Sequence, residues 1–204
     1  MNSSDLYKSA CSYLGVRGAP DEGTLALVEE CLAEAMRLAR FRAIGKEYTA
    51  PLAFLEKQPY ARFLAGCTGY ALVAMTLGAE VERRVRVLMR TDAARAVVLD
   101  ACASALVEHE GDGWEERFGE MRTYRFCPGY GGSSIADLAP IFHELHPEKI
   151  GMQLLPSGLM APQKSMAGIV GIGKKAHKTC KDCMLFKSCV YLKEGTTCFR
   201  SENR

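Results

Sequence analysis

Two features are absent from the sequence. No apolar run approaches the roughly 18 residues that a helix needs to cross a bilayer. The segment at residues 1–15, MNSSDLYKSACSYLG, has neither the basic start nor the apolar stretch of a secretory signal peptide. We therefore expect a cytoplasmic protein with no membrane partner.

A strong charge of either sign is also missing. The 26 Lys and Arg residues nearly balance the 24 Asp and Glu residues, and the net charge is +2. Such a chain lacks the basic footprint of a nucleic-acid-binding protein. The balance is uneven, because residues 1–172 carry 18 basic and 21 acidic side chains, whereas residues 173–204 carry 8 and 3. We predict one domain at residues 1–172 and a basic tail at residues 173–204.

Nine cysteines occur in a chain without an export signal, which argues against a disulfide scaffold. Five of them are scattered, and four lie together in the basic tail with the spacing C-x2-C-x5-C-x8-C. The four are Cys180, Cys183, Cys189 and Cys198. A C-x2-C pair followed closely by two more cysteines is typical of a metal site. Both zinc and an iron–sulfur cluster accept four thiolates, so the spacing leaves this choice open.

Hydrophobic periodicity predicts an α+β fold. Helical patterns occur in SSDLYKSACSYLGVRG, PDEGTLALVEECLAEAMRLARF, AEVERRVRVLM, the segment that begins at the N-cap Asp92, and SIADLAPIFHELHPEKIG, capped by Ser133 or Ser134. Strand patterns occur in RAIGKEYTAPLAF, residues 68–75, KIGMQLLPS and SMAGIVGIG. Helices in runs, with strands both early and late, favour a twisted mixed or antiparallel sheet flanked by helices.

The stretch RFCPGYGGS at residues 125–133 is the strongest candidate for a ligand site in the first domain. Gly129, Gly131 and Gly132 permit positive φ and close approach of a ligand to the backbone. Arg125 offers a planar fork for a carboxylate or a phosphate, and Tyr130 offers an aromatic wall with a polar tip. The alternative interpretation is a plain Pro-Gly turn with a solvated arginine and a tyrosine that covers the core.

The wider context resembles the activation domain of cobalamin-dependent methionine synthase. That family carries R-x-x-x-G-Y, then a helix, a strand and a segment similar to L-x-x-S-x-x-M-x-P-x-x-S-x-S-G. The matching residues here are Arg125, Gly129, Tyr130, Leu154, Ser157, Met160, Pro162, Ser165 and Gly168. Ala167 stands where the family has its second serine. The specific match spans about 50 residues, and vaguer agreement covers most of residues 20–172.

The resemblance implies an S-adenosylmethionine-binding protein that restores oxidised cobalamin by reductive methylation. By position, Arg125 is expected to bind the ligand carboxylate, Gly129 to let the loop turn under the ligand, and Gly132 to offer a backbone N–H. Tyr130 is expected at the corrin side of the pocket, in the catalytic position. Glu108 matches a ligand-binding glutamate of the family, although the match could shift to Glu110, and a solvated carboxylate at a helix end is the alternative.

The resemblance is closest to free-standing members of the family. The chain contains no D-x-H-x-x-G motif of a cobalamin-binding module, so it is expected to act on cobalamin carried by a partner. We expect that partner to be a corrinoid-dependent methyltransferase, in particular a methionine synthase without its own activation domain. The alternative is a corrinoid-protein chaperone that binds the same partner without turnover.

The tail fits this chemistry as an electron relay. A [4Fe–4S] cluster on the four tail cysteines would serve a cobalt reduction, and we favour it over zinc. The tail lysines make the surroundings electropositive and suited to an acidic flavodoxin- or ferredoxin-type electron donor. They are Lys174, Lys175, Lys178, Lys181 and Lys187.

Overall fold

The structure, a computed structural model, describes residues 3–16, 18–176, 179–180, 186–195 and 197. Within these ranges the helices are α1 (Ser3–Tyr13), α2 (Glu22–Leu38), α3 (Tyr60–Leu64), α4 (Glu80–Thr91), α5 (Ala93–Glu115), α6 (Leu138–Leu145) and α7 (Val190–Lys193). The strands are β1 (Arg42–Tyr48), β2 (Gly69–Thr76), β3 (Gln153–Leu154), β4 (Met160–Ala161) and β5 (Ser165–Ile172). Short 3-10 turns lie at Ala53–Leu55, Glu116–Phe118, Ile135–Asp137 and Pro147–Ile150. The predicted α+β class is confirmed.

The main sheet has three strands in the order β1-β2-β5. The Thr68 N–H, just before β2, donates to the carbonyl of Ile172 at the end of β5 over 2.8 Å. At the other end, the Leu77 N–H donates to the Lys164 carbonyl over 2.9 Å, and the Arg40 N–H donates to the Leu77 carbonyl over 2.8 Å. Each strand therefore runs antiparallel to its neighbour. A second, two-stranded antiparallel sheet pairs Gln153 with Ala161 and Leu154 with Met160.

Local capping signals place several helices where the sequence predicts them. Asp21 accepts a hydrogen bond from the Thr24 N–H at the start of α2, and Asp92 accepts one from the Arg95 N–H at the start of α5. Ser134, one of the two predicted caps, accepts from the Ala136 N–H over 3.2 Å. The segment that follows Ser134 begins as a 3-10 turn and becomes the α-helix α6 only at Leu138.

The strand predicted in KIGMQLLPS is much shorter than expected. Only Gln153–Leu154 pair as a strand, and the preceding Pro147–Ile150 form a 3-10 turn. Gly151 has a φ of +83°, which lies outside the extended region and interrupts the strand. The segment GLMAPQK, which joins the two predicted strands, supplies the short partner strand β4.

The described residues divide into two compact units. Unit 1 lies within Met1–Ile44, Met75–Glu115 and Pro147–Met166, and unit 2 lies within Gly45–Ala74, Glu116–His146 and Ala167–Arg204. The boundary predicted near Gly173 stays a prediction, because most of the tail lies outside the described residues. No helix in the described ranges is long and apolar enough to cross a membrane.

Unit 1 is built around α5, which contacts α1, α2 and α4. Its buried positions are mostly small, as the sequence indicates, and this lets the three helices approach closely. The fully buried ones include Ala96, Leu99, Cys102 and Ala103. On the rim of this core, Glu34 is 9% exposed and accepts hydrogen bonds from Arg84 (2.6 Å) and Arg95 (3.1 Å). These ion pairs connect α2 to α4 and α5.

Candidate functional site

The segment at residues 121–126 extends along β5 in unit 2 and carries the arginine of the candidate motif. Phe126 and Ile169 exchange two backbone hydrogen bonds of 2.8 and 2.9 Å. Closer to the end of β5, the Thr123 N–H donates to the Gly171 carbonyl, and the Gly171 N–H donates to the Thr123 hydroxyl over 2.8 Å. This pairing fixes the backbone of Arg125, whose side chain is 7% exposed.

Gly168 allows this segment to lie close to β5. A Cβ at Gly168 would meet the Phe126 carbonyl oxygen at 2.6 Å and the Arg125 Cγ at 2.9 Å. Both distances are shorter than an ordinary van der Waals contact, so no larger residue fits without displacing the arginine. The sequence motif includes this glycine, and the structure supplies its physical role.

The motif loop, residues 127–133, follows the paired segment. Its three glycines have φ values of +92° at Gly129, +56° at Gly131 and +85° at Gly132, as their predicted role requires. The Ser133 side chain holds the loop closed. Its hydroxyl oxygen accepts from the Gly129 N–H over 3.0 Å, and its proton is donated to the Tyr130 carbonyl over 2.7 Å. This arrangement leaves the Tyr130 side chain 71% exposed.

An aromatic cluster supports the loop from within unit 2. The Phe126 ring packs edge-on against Tyr60, with centroids 5.4 Å apart, and at a tilt of 50° against Phe63, with centroids 5.0 Å apart. A Cβ at Gly131 would lie 3.0 Å from two carbons of the Phe126 ring. Gly131 therefore rests directly on the ring, and this position serves packing as well as backbone conformation.

A surface depression of about 740 Å³ lies between α3 and the motif loop. Its volume is in the range of small-molecule sites. The lining residues are Gln58, Pro59, Ala61, Arg62, Ala65, Gly131 and Gly132. Of the five predicted ligand-site residues, which are all described, only Gly132 is in this lining. For the Gly132 N–H, no acceptor is found among the described residues.

The α3 wall was not predicted from the sequence. The strand predicted at residues 68–75 begins after α3, and no helix is predicted directly before it. The available signal was Pro59, followed by Tyr60, Phe63 and Leu64 at helical spacing.

Beside this wall lies a polar group made of the buried Tyr60 and Asp137 and the exposed Lys57. The Tyr60 hydroxyl donates to Asp137 Oδ2 over 2.9 Å, and Lys57 Nζ donates to Asp137 Oδ1 over 2.7 Å. Burial alone would raise the pKa of Asp137, but the hydrogen bonds from Lys57 and Tyr60 outweigh it and hold the pKa below its usual value. Burial raises the pKa of Tyr60, and the Asp137 carboxylate adds to the rise. Tyr60 is thus a neutral phenol and Asp137 a carboxylate at neutral pH.

Glu108 lies in α5, which belongs to unit 1, and is half-buried. Its assignment as a ligand-binding residue stays a prediction, as do those of Arg125, Gly129, Tyr130 and Gly132.

The second half of the family-like motif forms the β3–β4 turn and the start of β5. Ser165 is buried, and its hydroxyl donates to the Thr76 hydroxyl over 2.8 Å. Next to it, Lys164 Nζ pairs with Asp100 (2.8 Å) and donates to the Ser104 hydroxyl (2.9 Å). These contacts are structural, because both side chains are largely removed from solvent and satisfied within unit 1.

The tail cysteines are only partly covered by the structure. Cys180 and Cys189 are half-buried free thiols, whereas Cys183 and Cys198 lie outside the described residues. Among the residues that are described, no group of three or more His, Cys, Asp or Glu side chains could hold a metal ion. The four-cysteine site therefore stays a prediction.

Comparison with solved structures finds the MetH reactivation domain bound to AdoHcy. The match has a TM-score of 0.60 and 13% sequence identity, and it covers 94% of this chain and 83% of that one. At this identity the likeness shows a shared fold. No protein-family model and no curated protein matches the sequence.

Proposed function

We propose that the chain binds S-adenosylmethionine and reactivates a corrinoid-dependent methyltransferase. The observation that carries the proposal is the joint placement of Arg125 and the motif loop. The arginine of an R-x-x-x-G-Y stretch lies beside β5, where Gly168 leaves room for its backbone and side chain. The fold is shared with a reactivation domain that was crystallised with AdoHcy. The motif concerns individual residues, whereas the match at 13% identity concerns the course of the backbone.

Arg125 is the residue proposed to bind the amino-acid carboxylate of the ligand. Its side chain is 7% exposed, so a carboxylate that reaches it forms a charge-assisted hydrogen bond away from bulk water. Such a bond contributes about 1.5–3 kcal/mol. Gly129 and Gly132, both at positive φ, allow the backbone to turn beneath the ligand, and the Gly132 N–H is available as a donor.

Tyr130 is proposed to face the partner. A tyrosine that is 71% exposed at the tip of a loop closed by Ser133 can contact a docked corrinoid protein without disturbing the core. Glu108 is proposed as a second contact to the ligand. When bound, S-adenosylmethionine supplies the methyl group that, with one electron from a low-potential donor, returns the partner's oxidised cobalamin to its methylated form.

Calorimetric titration with S-adenosylmethionine and with S-adenosylhomocysteine tests the ligand. Arg125→Ala should weaken binding by about tenfold to a hundredfold, which corresponds to the charged hydrogen bond it removes. Arg125→Lys should recover part of the affinity, because it keeps the charge but loses the fork. Arg122→Ala is the matched control: this arginine lies in the same segment and donates to the Gly119 carbonyl. Equal affinity in the wild-type and Arg125→Ala proteins would refute the assignment.

Reactivation is tested with a partner corrinoid methyltransferase in its cob(II)alamin form. The partner is mixed with S-adenosylmethionine and a low-potential reductant, and the methylcobalamin spectrum is followed. Growth of that spectrum only when this chain is present supports the proposal. A stable complex without spectral change would contradict turnover and identify the chain as a binding module.

We further propose that the tail carries an iron–sulfur cluster on Cys180, Cys183, Cys189 and Cys198 and relays electrons to the partner. The support is the spacing of the four cysteines and the basic surroundings. Anaerobically purified protein should be brown and contain about four irons per chain, as a cubane cluster requires. Cys183→Ser should abolish the colour and leave binding of S-adenosylmethionine unchanged. One zinc and no iron in anaerobic material would rule out the relay.

A further inference from the structure

Tyr60 contacts the chain on both sides of the motif loop. On the N-terminal side, its ring packs edge-on against Phe126, with centroids 5.4 Å apart. On the C-terminal side, its hydroxyl donates to Asp137 over 2.9 Å. Residues 126 and 137 bracket the loop, so a single side chain from α3 determines how far apart its two ends lie.

The contact with Phe126 continues into the loop. A Cβ at Gly131 would lie 3.0 Å from two carbons of the Phe126 ring, so the loop backbone rests on the ring that Tyr60 packs against. The position of the loop at Gly131 therefore depends on where Tyr60 holds Phe126.

The Asp137 carboxylate is also held by an ion pair with Lys57. Asp137 is 6% exposed, and its second oxygen accepts from Lys57 Nζ over 2.7 Å. Lys57 lies three residues before Tyr60, the first residue of α3, so the turn into this helix and the helix itself supply the two donors to the same carboxylate. The Asp137 N–H donates to the Ser134 carbonyl over 3.1 Å, which ties the carboxylate to the end of the loop.

We propose that Tyr60 is a positioning residue for the motif loop, acting through Phe126 and Asp137 to hold Gly129–Gly132 in the form that binds ligand and presents Tyr130. The part that concerns ligand rests on the function proposed above. Tyr60 does not touch the ligand in this proposal. Its hydroxyl matters because, without it, Asp137 loses one of its two side-chain donors.

The test compares Tyr60→Phe with a matched control, Tyr48→Phe. Both changes remove one phenol hydroxyl from unit 2, and Tyr48 donates its own to Glu144 over 2.7 Å. In Tyr60→Phe the ring contacts with Phe54 and Phe126 remain, so the fold is expected to persist. Two quantities are measured: amide hydrogen exchange in peptides that cover residues 127–134, and the affinity for S-adenosylmethionine.

Tyr60→Phe should speed exchange in the loop peptides by about three- to tenfold and weaken ligand binding by a similar factor, the scale of one lost buried hydrogen bond. Tyr48→Phe should change neither. Asp137→Ala, which removes the acceptor of the Tyr60 hydroxyl, should reproduce the effect of Tyr60→Phe. A merely structural tyrosine would lower the melting temperature without this localised change in exchange.

The outcomes separate the two proposals. If the wild-type protein binds ligand but Tyr60→Phe changes neither loop exchange nor affinity, the positioning role is wrong and the proposed function stands. If Tyr60→Phe speeds exchange throughout unit 2 rather than in the loop, the positioning role is also wrong. If the wild-type protein binds no ligand, alone or with a corrinoid partner, the proposed function fails, and localised exchange in Tyr60→Phe still decides the positioning role.

Discussion

Replacement of Gly168 by alanine is a direct test of the pairing that places Arg125. The added Cβ would lie 2.6 Å from the Phe126 carbonyl oxygen and 2.9 Å from the Arg125 Cγ. Carbon atoms in contact normally sit about 3.5–4.0 Å apart, so the segment or the strand must move by about 1 Å. The nearest atom belongs to the backbone, which cannot rotate away as the end of a long side chain can.

The expected cost follows from two opposing effects. Overpacking of a tight site typically costs about 1–3 kcal/mol, and the reduced freedom of the unfolded chain returns about 0.4–1 kcal/mol. We expect a net loss of about 1–2 kcal/mol in the free energy of unfolding. For a chain of 204 residues this lowers the melting temperature by about 2–8 °C. Displacement of Arg125 should also weaken binding of S-adenosylmethionine.

Gly113→Ala is the matched control for this substitution. Gly113 lies within α5, and a Cβ there would meet no atom within 4 Å. Alanine should raise stability by about 0.5–1 kcal/mol, since glycine is a poor helix former. Thermal unfolding followed by circular dichroism compares the two variants with the wild type. A Gly168→Ala protein as stable as the wild type would refute the close approach of residues 121–126 to β5.

Three further outcomes are expected. Glu34→Gln should lower the free energy of unfolding, measured in urea, by about 1–2 kcal/mol, less than for a fully buried ion pair because its two arginine partners are partly exposed. An unchanged free energy of unfolding would mean that these ion pairs do not stabilise the fold. The lowered pKa of Asp137 means that the unfolded chain takes up a proton at higher pH than the folded protein does, so stability should fall as pH drops below about 4, less steeply in Asp137→Asn. Burial raises the pKa of the Cys102 thiol to about 12, so iodoacetamide at pH near 8 should leave it unmodified in native protein and label it in denaturant, as read by mass spectrometry.

Features encoded by neighbouring residues were predictable from the sequence. The caps at Asp92 and Ser134 and the positive φ of Gly129 are local, since each depends on residues within a few positions. The motif also singled out Gly168 correctly as part of a pattern, but its reason is a contact with residues more than 40 positions earlier. A sequence motif can therefore identify such a residue even when the contact that requires it is visible only in the structure.

The α3 wall and the polar group of Lys57, Tyr60 and Asp137 could not be predicted from the sequence. Tyr60 and Asp137 are 77 positions apart, and nothing in either local sequence indicates that they meet. The same holds for residues 121–126, which carry no alternating pattern and pair with β5 because the chain returns to that edge. Long-range pairing of this kind is a property of the assembled sheet and core.

The exposure of Tyr130 has a consequence for genetic screens. Since 71% of this side chain lies in water and its loop is closed by Ser133 and the glycines, most substitutions there should change folding stability by less than about 0.5 kcal/mol. A saturation library scored for cellular abundance should therefore rate position 130 as tolerant. The same library scored for growth that depends on corrinoid reactivation should rate it as intolerant. Positions that are tolerant in the abundance score but intolerant in the growth score would outline the surface proposed to contact the partner, before the partner is purified.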